Sequence, residues 1–214
     1  MSHLNLNWLA DNLNKNPVIF DIGCADMYDT VKIKQKLPGG TYYAFECSNV
    51  WRAKNLKTAE EHHIKYFHKA MSDTEGVLTF YPSEMLDGTE WPWSGSICKP
   101  GPKLRNPRWT WGNNYIVESI TLNTFCNTHH IHPDFIHIDV QGAEHKVFAA
   151  LNHSLRPSIV WVEISEFHMY ETGTTYEHFL KLMTSLGYQE KFKDNCDALY
   201  VLNQFQVTEY NSVK

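Results

Sequence analysis

The sequence predicts an α/β protein with a mostly parallel, doubly wound sheet that ends in a C-terminal antiparallel hairpin. Apolar runs of strand length alternate with amphipathic stretches of helix length along most of the chain, which is the pattern of repeated strand–helix–strand units. Turn residues separate these runs, and the last two runs flank a short polar turn at residues 193–197. We therefore expect the chain to finish in a hairpin that gives the sheet a reversed edge strand.

The individual elements follow from apolar spacing and from the turn residues between them. Strands are predicted at residues 17–23, 41–46, 64–71, 77–81, 115–120, 134–140, 158–164, 188–192 and 198–202. Helices are predicted at residues 4–13, 26–37, 50–61, 122–130, 143–151 and 176–186. The Pro-Gly-Gly turn at 38–40 ends the second helix, and Gly187 ends the last one. The alternation at 77–81 is typical of an added strand, for which an antiparallel direction is expected.

Residues 82–114 break this regular pattern. They contain several prolines and glycines, together with four of the seven tryptophans: Trp91, Trp93, Trp109 and Trp111. A stretch of this length without periodicity is typical of a functional loop or lid. We expect a single domain over residues 1–214 with a Trp/Pro-rich loop or lid at about 82–114.

Composition limits the classes of partner and compartment. The chain of 214 residues carries a formal net charge of −5, so a nucleic-acid partner is not expected. The five cysteines form no C-x-x-C pair, which argues against a disulfide framework or a zinc site and fits a reducing compartment. The N-terminal segment lacks the features of a signal peptide, and no apolar run reaches the roughly 20 residues of a membrane span. These observations predict a cytoplasmic protein.

The ends of the first two strands carry the signature of a nucleoside site. Ligands of a doubly wound sheet bind beyond the carboxyl ends of its strands. Asp21 and Gly23 end the first strand in DIGCAD, where a glycine permits close backbone approach to a ligand, although a lone glycine is most often only a turn. Glu46 ends the second strand, 25 residues after Asp21, as expected for a carboxylate that binds a ribose diol.

Two further strand ends supply candidate catalytic groups. Asp139 and Glu163 end apolar strands, where a carboxylate is costly to bury without a partner, so a functional role is favoured. His168 follows in a loop and is a third candidate for proton transfer, although a loop histidine is more often simply exposed. The same acids with His137 and His168 are possible metal ligands, but a single H-x-D pattern is thin evidence, and metal dependence stays open.

Five longer motifs carry a family resemblance: TLNTFC at 121–126, DFIHIDVQGAEHKVFAAL at 134–151, IVWVEI at 159–164, AMSDTEGVLTFY at 70–81 and WSGSI at 93–97. Together they resemble the FkbM family of S-adenosylmethionine-dependent methyltransferases over residues 18–188. The family typically has a strand that reads KIDVEGAE, and its first loop reads DVGANIG. In this chain Ala25 and Met27 stand where that loop has asparagine and its last glycine. Cys47 stands where proline often follows the ribose-binding glutamate, and Asn123 replaces an aspartate.

The resemblance implies a Rossmann-like class I methyltransferase that transfers a methyl group from S-adenosylmethionine to a hydroxyl and leaves S-adenosylhomocysteine. It places a set of residues at the cofactor: Asp21, Gly23, Cys24, Ala25, Glu46, Met71, Ser72, Asp73 and Asp139. Among these, residues 23–25 would line the methionine part, Glu46 would hold the ribose, residues 71–73 would flank the adenine, and Asp139 would face the sulfonium. Asp139, Glu163 and His168 are the catalytic candidates.

Family members often methylate sugars, so a sugar or glycan acceptor is expected, and association with glycosyltransferases is one expectation of that setting. The predicted substrate-binding residues are Trp91, Trp93, Ser96 and Glu144. Tryptophan faces pack on pyranose rings, but they equally pin down long loops. Glu144 also suits a plain role at a helix start, where negative charge is favoured.

Two other functions compete with this interpretation. An NAD-dependent oxidoreductase shares the glycine turn and the ribose carboxylate, but it requires a fuller G-x-G-x-x-G than DIGCADMYD offers. A non-catalytic binding module on a methyltransferase fold is the second alternative, because Ala25 and Met27 change the first loop.

Overall fold

The structure is a computed structural model that describes residues 4–89, 91–101, 109–149, 151–164 and 170–212. The helices are α1 (Leu6–Asn12), α2 (Tyr28–Lys36), α3 (Asn49–His62), α4 (Leu122–His129), α5 (Glu144–Phe148) and α6 (Tyr176–Ser185), with a 3-10 turn at His153–Leu155. The strands are β1 (Val18–Ile22), β2 (Thr41–Phe45), β3 (Lys65–Phe67), β4 (Ala70–Met71), β5 (Gly76–Phe80), β6 (Ser83–Met85), β7 (Trp109–Trp111), β8 (Tyr115–Ile120), β9 (Phe135–Ile138), β10 (Ile159–Glu163), β11 (Tyr188–Lys193) and β12 (Asp197–Leu202). Within these ranges no helix combines the length and apolar character needed to cross a bilayer.

A seven-stranded sheet in the order β11-β12-β10-β9-β1-β2-β3 forms the centre of the protein. Strands β10, β9, β1, β2 and β3 pair in parallel, and β12 runs antiparallel to both β10 and β11. The predicted α/β class and C-terminal hairpin are confirmed. The reversed strand, however, is β12, one position inside the edge that we expected it to form. Every residue of β12 is buried, whereas β11 is partly exposed, so the more apolar strand takes the interior position.

Helices cover both faces of this sheet. One apolar cluster joins the sheet to α1, α2 and α3 through residues such as Leu9, Ile33 and Ala59. The other cluster joins the opposite face to α4, α5 and α6 through Phe125, Phe148 and Phe179. The doubly wound layer arrangement follows from strands that are apolar on both faces and from helices that each bury one side.

The strand predicted at residues 64–71 is two strands in the structure. β3 joins the central sheet, while β4 pairs with β8 in a second sheet of order β4-β8-β5. A tight turn closed by the Lys69 N–H on the Phe67 carbonyl separates them, at 3.0 Å. Residues 76–80 do form the expected added strand, and its pairing with β8 is antiparallel.

The predicted irregular stretch at 82–114 contains regular structure. β6 and β7 form an antiparallel pair, with Ser83 opposite Trp111 and Met85 opposite Trp109. The sequence pattern did not reveal this strand pair, because three-residue strands show no recognisable period and their partners lie far apart in sequence. Residues 90 and 102–108 lie outside the described ranges.

Candidate active site

The strand ends place the predicted acids in one row along the carboxyl edge of the sheet. On strand β1, Asp21 lies opposite Ala44 of β2 and His137 of β9, and on β10, Val162 lies opposite Ile138 of β9. Continuing each strand in this register makes the residues just past the strand ends neighbours of one another. The row at the very edge is Glu163, Asp139, Gly23 and Glu46, and the row one layer deeper is Trp161, His137, Asp21 and Ala44. Because side chains alternate along a strand, both rows point to the same face of the sheet.

The loop after β1 packs directly on the end of β9. Gly23 has a φ of +82°, and a Cβ placed on it would lie 1.8 Å from the Asp139 carbonyl oxygen. Ala25 and Met27 also have positive φ, 41° and 61°, although neither residue favours the left-handed region. Positions where the FkbM loop has asparagine and glycine therefore keep the backbone shape those residues favour. From α3, Asn55 Nδ2 donates to the Ala25 carbonyl at 2.7 Å and anchors this loop.

Two cavities meet at Gly23 and Asp139. The first, the apolar cavity, is walled by Phe45, Glu46, Met71, Phe80, Ser96 and Ile97, among others. The second, the acidic cavity, is walled by Asp21, Asp26, Asp29, His137, Asp139 and Glu163, together with Tyr28 and Trp93. Because Gly23 and Asp139 line both cavities, the two adjoin along the carboxyl edge of the sheet, and we refer to the pair as the trough.

Glu46 is held in the apolar cavity by backbone donors. Its Oε2 accepts a hydrogen bond from the Ala25 N–H at 3.1 Å, and its Oε1 accepts one from the Ser48 N–H at 2.6 Å. Burial raises the pKa of Glu46 to about 7, while the backbone hydrogen bonds oppose that rise. The carboxylate is therefore fixed in position at the wall of the cavity.

Asp139 and Glu163 form a hydrogen-bonded pair of carboxyl groups in the acidic cavity. Gln141 Nε2 donates a further hydrogen bond to Asp139 Oδ1 at 2.7 Å. Burial raises the pKa of both acids, and the neighbouring Asp139 charge raises that of Glu163 further. Two adjacent carboxyls in a buried site hold a shared proton near neutral pH and titrate as one unit.

Asp21 is occupied by two side-chain donors beneath the first loop. Thr30 Oγ1 donates to its Oδ2, and the His137 ring nitrogen Nδ1 lies 2.8 Å from its Oδ1. Burial lowers the pKa of His137, but the charge and hydrogen bond of Asp21 outweigh it, so the net shift is upward. Sequence reasoning treated His137 only as a possible metal ligand. The signal that could have revealed it was its position two residues before Asp139, which puts both side chains on one face.

Some of the other predicted cofactor residues line the two cavities, and the rest do not. Met71 lines the apolar cavity, and Cys24 and Ala25 line the acidic cavity. Ser72 is buried and donates through its N–H to the Ile120 carbonyl at 3.1 Å. Asp73 accepts from Ser72 Oγ at 3.0 Å and lies 3.5 Å from Lys146 Nζ. Ser72 and Asp73 therefore stabilise the segment that follows Met71.

The predicted substrate residues also differ in placement. Trp93 is 48% exposed, lines the acidic cavity and packs against Trp51 with ring centroids 4.9 Å apart, a contact that sequence reasoning missed. Ser96 lines the apolar cavity and donates to the Gln141 carbonyl at 2.7 Å, which ties residues 93–97 to the loop after β9. Trp91 donates through its N–H to the Ser83 carbonyl at 3.2 Å.

Two predicted residues fall elsewhere. Glu144 is buried, and its Oε1 accepts a hydrogen bond from the Gly142 N–H at 2.9 Å. Its carboxylate therefore stabilises the backbone at the start of α5. His168 lies outside the described residues. Across the described ranges, no three His, Cys, Asp or Glu side chains are grouped in a way that could hold one metal ion.

The strand order, the single reversed strand and the row of acids at the strand ends define a Rossmann-like α/β protein of the methyltransferase class. Comparison with known proteins gives the family. The profile described as "Methyltransferase FkbM domain" matches residues 21–190. The chain therefore belongs to the FkbM methyltransferase family, and it is a methyl-transfer enzyme.

Individual relatives agree with this assignment. The chain is 31% identical over 184 residues to the 2-O-methyltransferase NoeI of Sinorhizobium fredii (strain NBRC 101917 / NGR234), covering 83% of this chain and 75% of that protein. A crystal structure of methyltransferase FkbM from Methylobacillus flagellatus KT superposes with a TM-score of 0.54 at 11% identity, covering 88% of this chain and 44% of that one. This chain thus spans less than half of the crystallised protein, and the match shows a shared fold.

Proposed function

We propose that the protein is an S-adenosylmethionine-dependent O-methyltransferase that methylates a sugar hydroxyl of a glycan or glycoconjugate. The observation that carries the proposal is the trough along the sheet edge. A backbone-held carboxylate, Glu46, stands in its apolar part, and paired acids, Asp139 and Glu163, stand in its acidic part. One end thus suits a nucleoside, and the other suits a positively charged methyl donor and a hydroxyl acceptor.

The residues of the apolar cavity fit the adenosine portion of the cofactor. A carboxylate has about four lone-pair positions, and backbone N–H groups do not use all of those of Glu46, so it retains acceptor capacity for a ribose hydroxyl. Phe45, Met71 and Phe80 offer apolar walls to a purine ring. S-adenosylhomocysteine, the expected product, has the same adenosine part and is bound by the same residues.

The residues between the two cavities fit the methionine portion. Gly23, Cys24 and Ala25 present backbone at this point, and Asp139 lies where the two cavities meet. When bound, the cofactor supplies an electrophilic methyl group on a positively charged sulfur. The net negative charge of the Asp139–Glu163 pair stabilises that positive charge and orients an acceptor hydroxyl. Asp139 and Glu163 are thus the proposed catalytic groups, and the prediction for His168 stays open.

The acidic cavity fits an uncharged, hydroxyl-rich acceptor. None of the described residues that line it is a lysine or an arginine, so it offers carboxylates to hydroxyl donors and repels phosphate groups. Tyr28 and Trp93 are 60% and 48% exposed, and they provide aromatic faces of the kind that pack on pyranose rings. The relative NoeI is a 2-O-methyltransferase, which supports oxygen as the accepting atom.

The setting of the reaction belongs to the same proposal. The five cysteines are free thiols, which fits the reducing cytoplasm. The segment that includes Trp93 and Ser96 forms one wall of the trough and is our candidate for the predicted lid on a single domain. A glycan acceptor is a product of glycosyl transfer, so association with a glycosyltransferase is included in the proposal.

The experiment has two stages. Thermal shift and calorimetry with S-adenosylmethionine, S-adenosylhomocysteine and NAD should show stabilisation by the first two ligands only. Glu46→Gln should weaken S-adenosylhomocysteine binding by roughly tenfold or more, because the remaining amide can accept through only one oxygen. Stabilisation by NAD alone, or an unchanged dissociation constant in Glu46→Gln, would contradict the cofactor assignment.

The second stage identifies the acceptor. Free sugars, oligosaccharides and nucleotide sugars are incubated with the enzyme and methyl-labelled cofactor, and products are read by mass. We expect neutral oligosaccharides to be methylated in preference to nucleotide sugars, because the acidic cavity disfavours phosphate. Preferential methylation of the nucleotide sugars would overturn the acceptor assignment.

A further inference from the structure

We propose that His137, held by Asp21, is the general base that takes the proton from the acceptor hydroxyl. This inference rests on the proposed function, since it concerns the same acidic cavity. It assigns a catalytic role to a residue that is not among the catalytic candidates predicted from the sequence.

The geometry is that of a carboxylate–histidine dyad. Asp21 on β1 and His137 on β9 are direct cross-strand neighbours, and Nδ1 of the ring lies 2.8 Å from Asp21 Oδ1. Thr30 Oγ1 donates to the other carboxylate oxygen, so Asp21 is fixed on both sides. A carboxylate on Nδ1 orients the ring, sets its tautomer and leaves Nε2 as the nitrogen that can accept a proton.

His137 also has access to the reaction space. The residue is 6% exposed and belongs to the wall of the acidic cavity. It lies two residues before Asp139, about 6.6 Å along the same strand face. With Nδ1 committed to Asp21, Nε2 is the ring nitrogen available to a ligand in the cavity.

The proton transfer is balanced in charge and electrons. The acceptor oxygen bonds to the methyl carbon while the carbon–sulfur bond of the sulfonium donor breaks, and that electron pair stays on sulfur as a thioether. The hydroxyl proton moves to Nε2 of His137, which becomes an imidazolium. The Asp21 carboxylate balances the new positive charge at 2.8 Å.

The Asp139–Glu163 pair is less suited to accept this proton. The two carboxyls already share one proton between them, so their remaining negative charge is spread over the pair. That charge serves better to orient the hydroxyl and to balance the sulfonium. His137, by contrast, has one ring nitrogen with no such partner among its hydrogen bonds in the described structure.

The electrostatic surroundings predict how the base titrates. Acids face His137 from each neighbouring element: Asp21 on β1, Asp29 on α2, Asp139 after β9 and Glu163 on β10. Burial lowers the pKa of His137, but the carboxylates raise it more, so the neutral ring that can accept a proton becomes the main form at a higher pH than for an ordinary histidine. The rate should therefore rise with pH through that raised value.

The first test needs no acceptor. Nuclear magnetic resonance of the ¹⁵N-labelled histidine rings at pH 9, assigned with His137→Gln and Asp21→Asn, reports which ring nitrogen carries the proton. We expect His137 to be protonated on Nδ1, with a bare Nε2, and its pKa to fall in Asp21→Asn. A proton on Nε2 of the neutral ring would overturn the proposal, even if no acceptor has been found.

The second test uses methyl transfer to the best acceptor from the oligosaccharide screen. His137→Gln should lower kcat by about 10²–10³-fold, the usual contribution of a general base, and leave the dissociation constant of S-adenosylhomocysteine within about threefold. Asp21→Asn should move the acidic limb of the kcat profile to lower pH, which a purely structural role would not do. His145→Gln, at a half-buried histidine outside both cavities, is the matched control and should retain its rate.

The outcomes of the two proposals can be told apart. Absence of cofactor binding in the wild-type protein would refute the proposed function, whereas the ring tautomer would still decide the dyad. Normal binding with an unchanged kcat and pH limb in His137→Gln would refute the base and leave the proposed function intact.

Discussion

The apolar and acidic cavities open from the same row of strand ends, but their carboxylates are held in different ways. In the apolar cavity, Glu46 accepts hydrogen bonds from backbone N–H groups. In the acidic cavity, Asp139 bonds to Glu163, and Asp21 bonds to His137. The backbone amides hold the Glu46 carboxyl in place but exchange no proton with it. Paired titratable side chains can redistribute protons, so the acidic cavity is suited to chemistry and the apolar cavity to binding.

The largest expected effect tests the chemical side of this contrast. Asp139→Asn should reduce the methyl-transfer rate by about 10²–10³-fold, because it removes the pair's negative charge in a site where charge is poorly screened. Asparagine keeps the side-chain volume, so S-adenosylhomocysteine affinity should fall less than about fivefold, as measured by calorimetry. Glu61→Gln, which removes an exposed carboxylate on α3, is the charge-matched control. A full rate in Asp139→Asn would place the reaction away from the acidic cavity.

A smaller effect tests the binding side through pH. Burial raises the pKa of Glu46 to about 7, so this carboxyl gains a proton as the pH falls below that value and loses its capacity to accept hydrogen bonds. The dissociation constant of S-adenosylhomocysteine should therefore rise by about tenfold between pH 8 and pH 6.

The matched variant separates Glu46 from the acids of the other cavity, which titrate nearby. Glu46→Gln has no proton to gain, so its weaker affinity should stay flat over the same pH range. A wild-type affinity that is independent of pH would show that Glu46 does not titrate in this range. An equal slope in Glu46→Gln would place the titrating group outside the apolar cavity.

The smallest effect concerns the loop that joins the two cavities. Ala25 has a φ of 41°, and His130 at the end of α4 has a φ of 52°. Replacing either with glycine should raise the free energy of unfolding by up to about 1 kcal/mol, because relief of left-handed strain exceeds the added chain entropy. Denaturant titration measures both variants. If only His130→Gly is stabilised, the Ala25 loop carries no strain that glycine can relieve.

Much of the site could be predicted because it depends on strand ends. Glu46, Asp139 and Glu163 each terminate an apolar run, and parallel strands bring their carboxyl ends to one edge whatever the details of packing. The split of residues 64–71 into β3 and β4 could not be predicted, since the run contains no glycine or proline that would mark a turn, and the turn at Lys69 is closed by backbone groups alone. The β6–β7 pair could not be predicted from the sequence either, because short strands contain too few residues to show a period.

The sequence by itself determined the alternation of strands and helices, the acids at the strand ends and the FkbM resemblance, because all three are written in local spacing and residue type. Only the tertiary structure decided which groups bond to which. The contacts of Asp21 with His137 and of Asn55 with Ala25 join residues 116 and 30 positions apart. Cross-strand register and helix packing create such contacts, and neither leaves a local pattern in the chain. For that reason Asp21, predicted as a cofactor residue, is placed by the structure as the partner of a histidine.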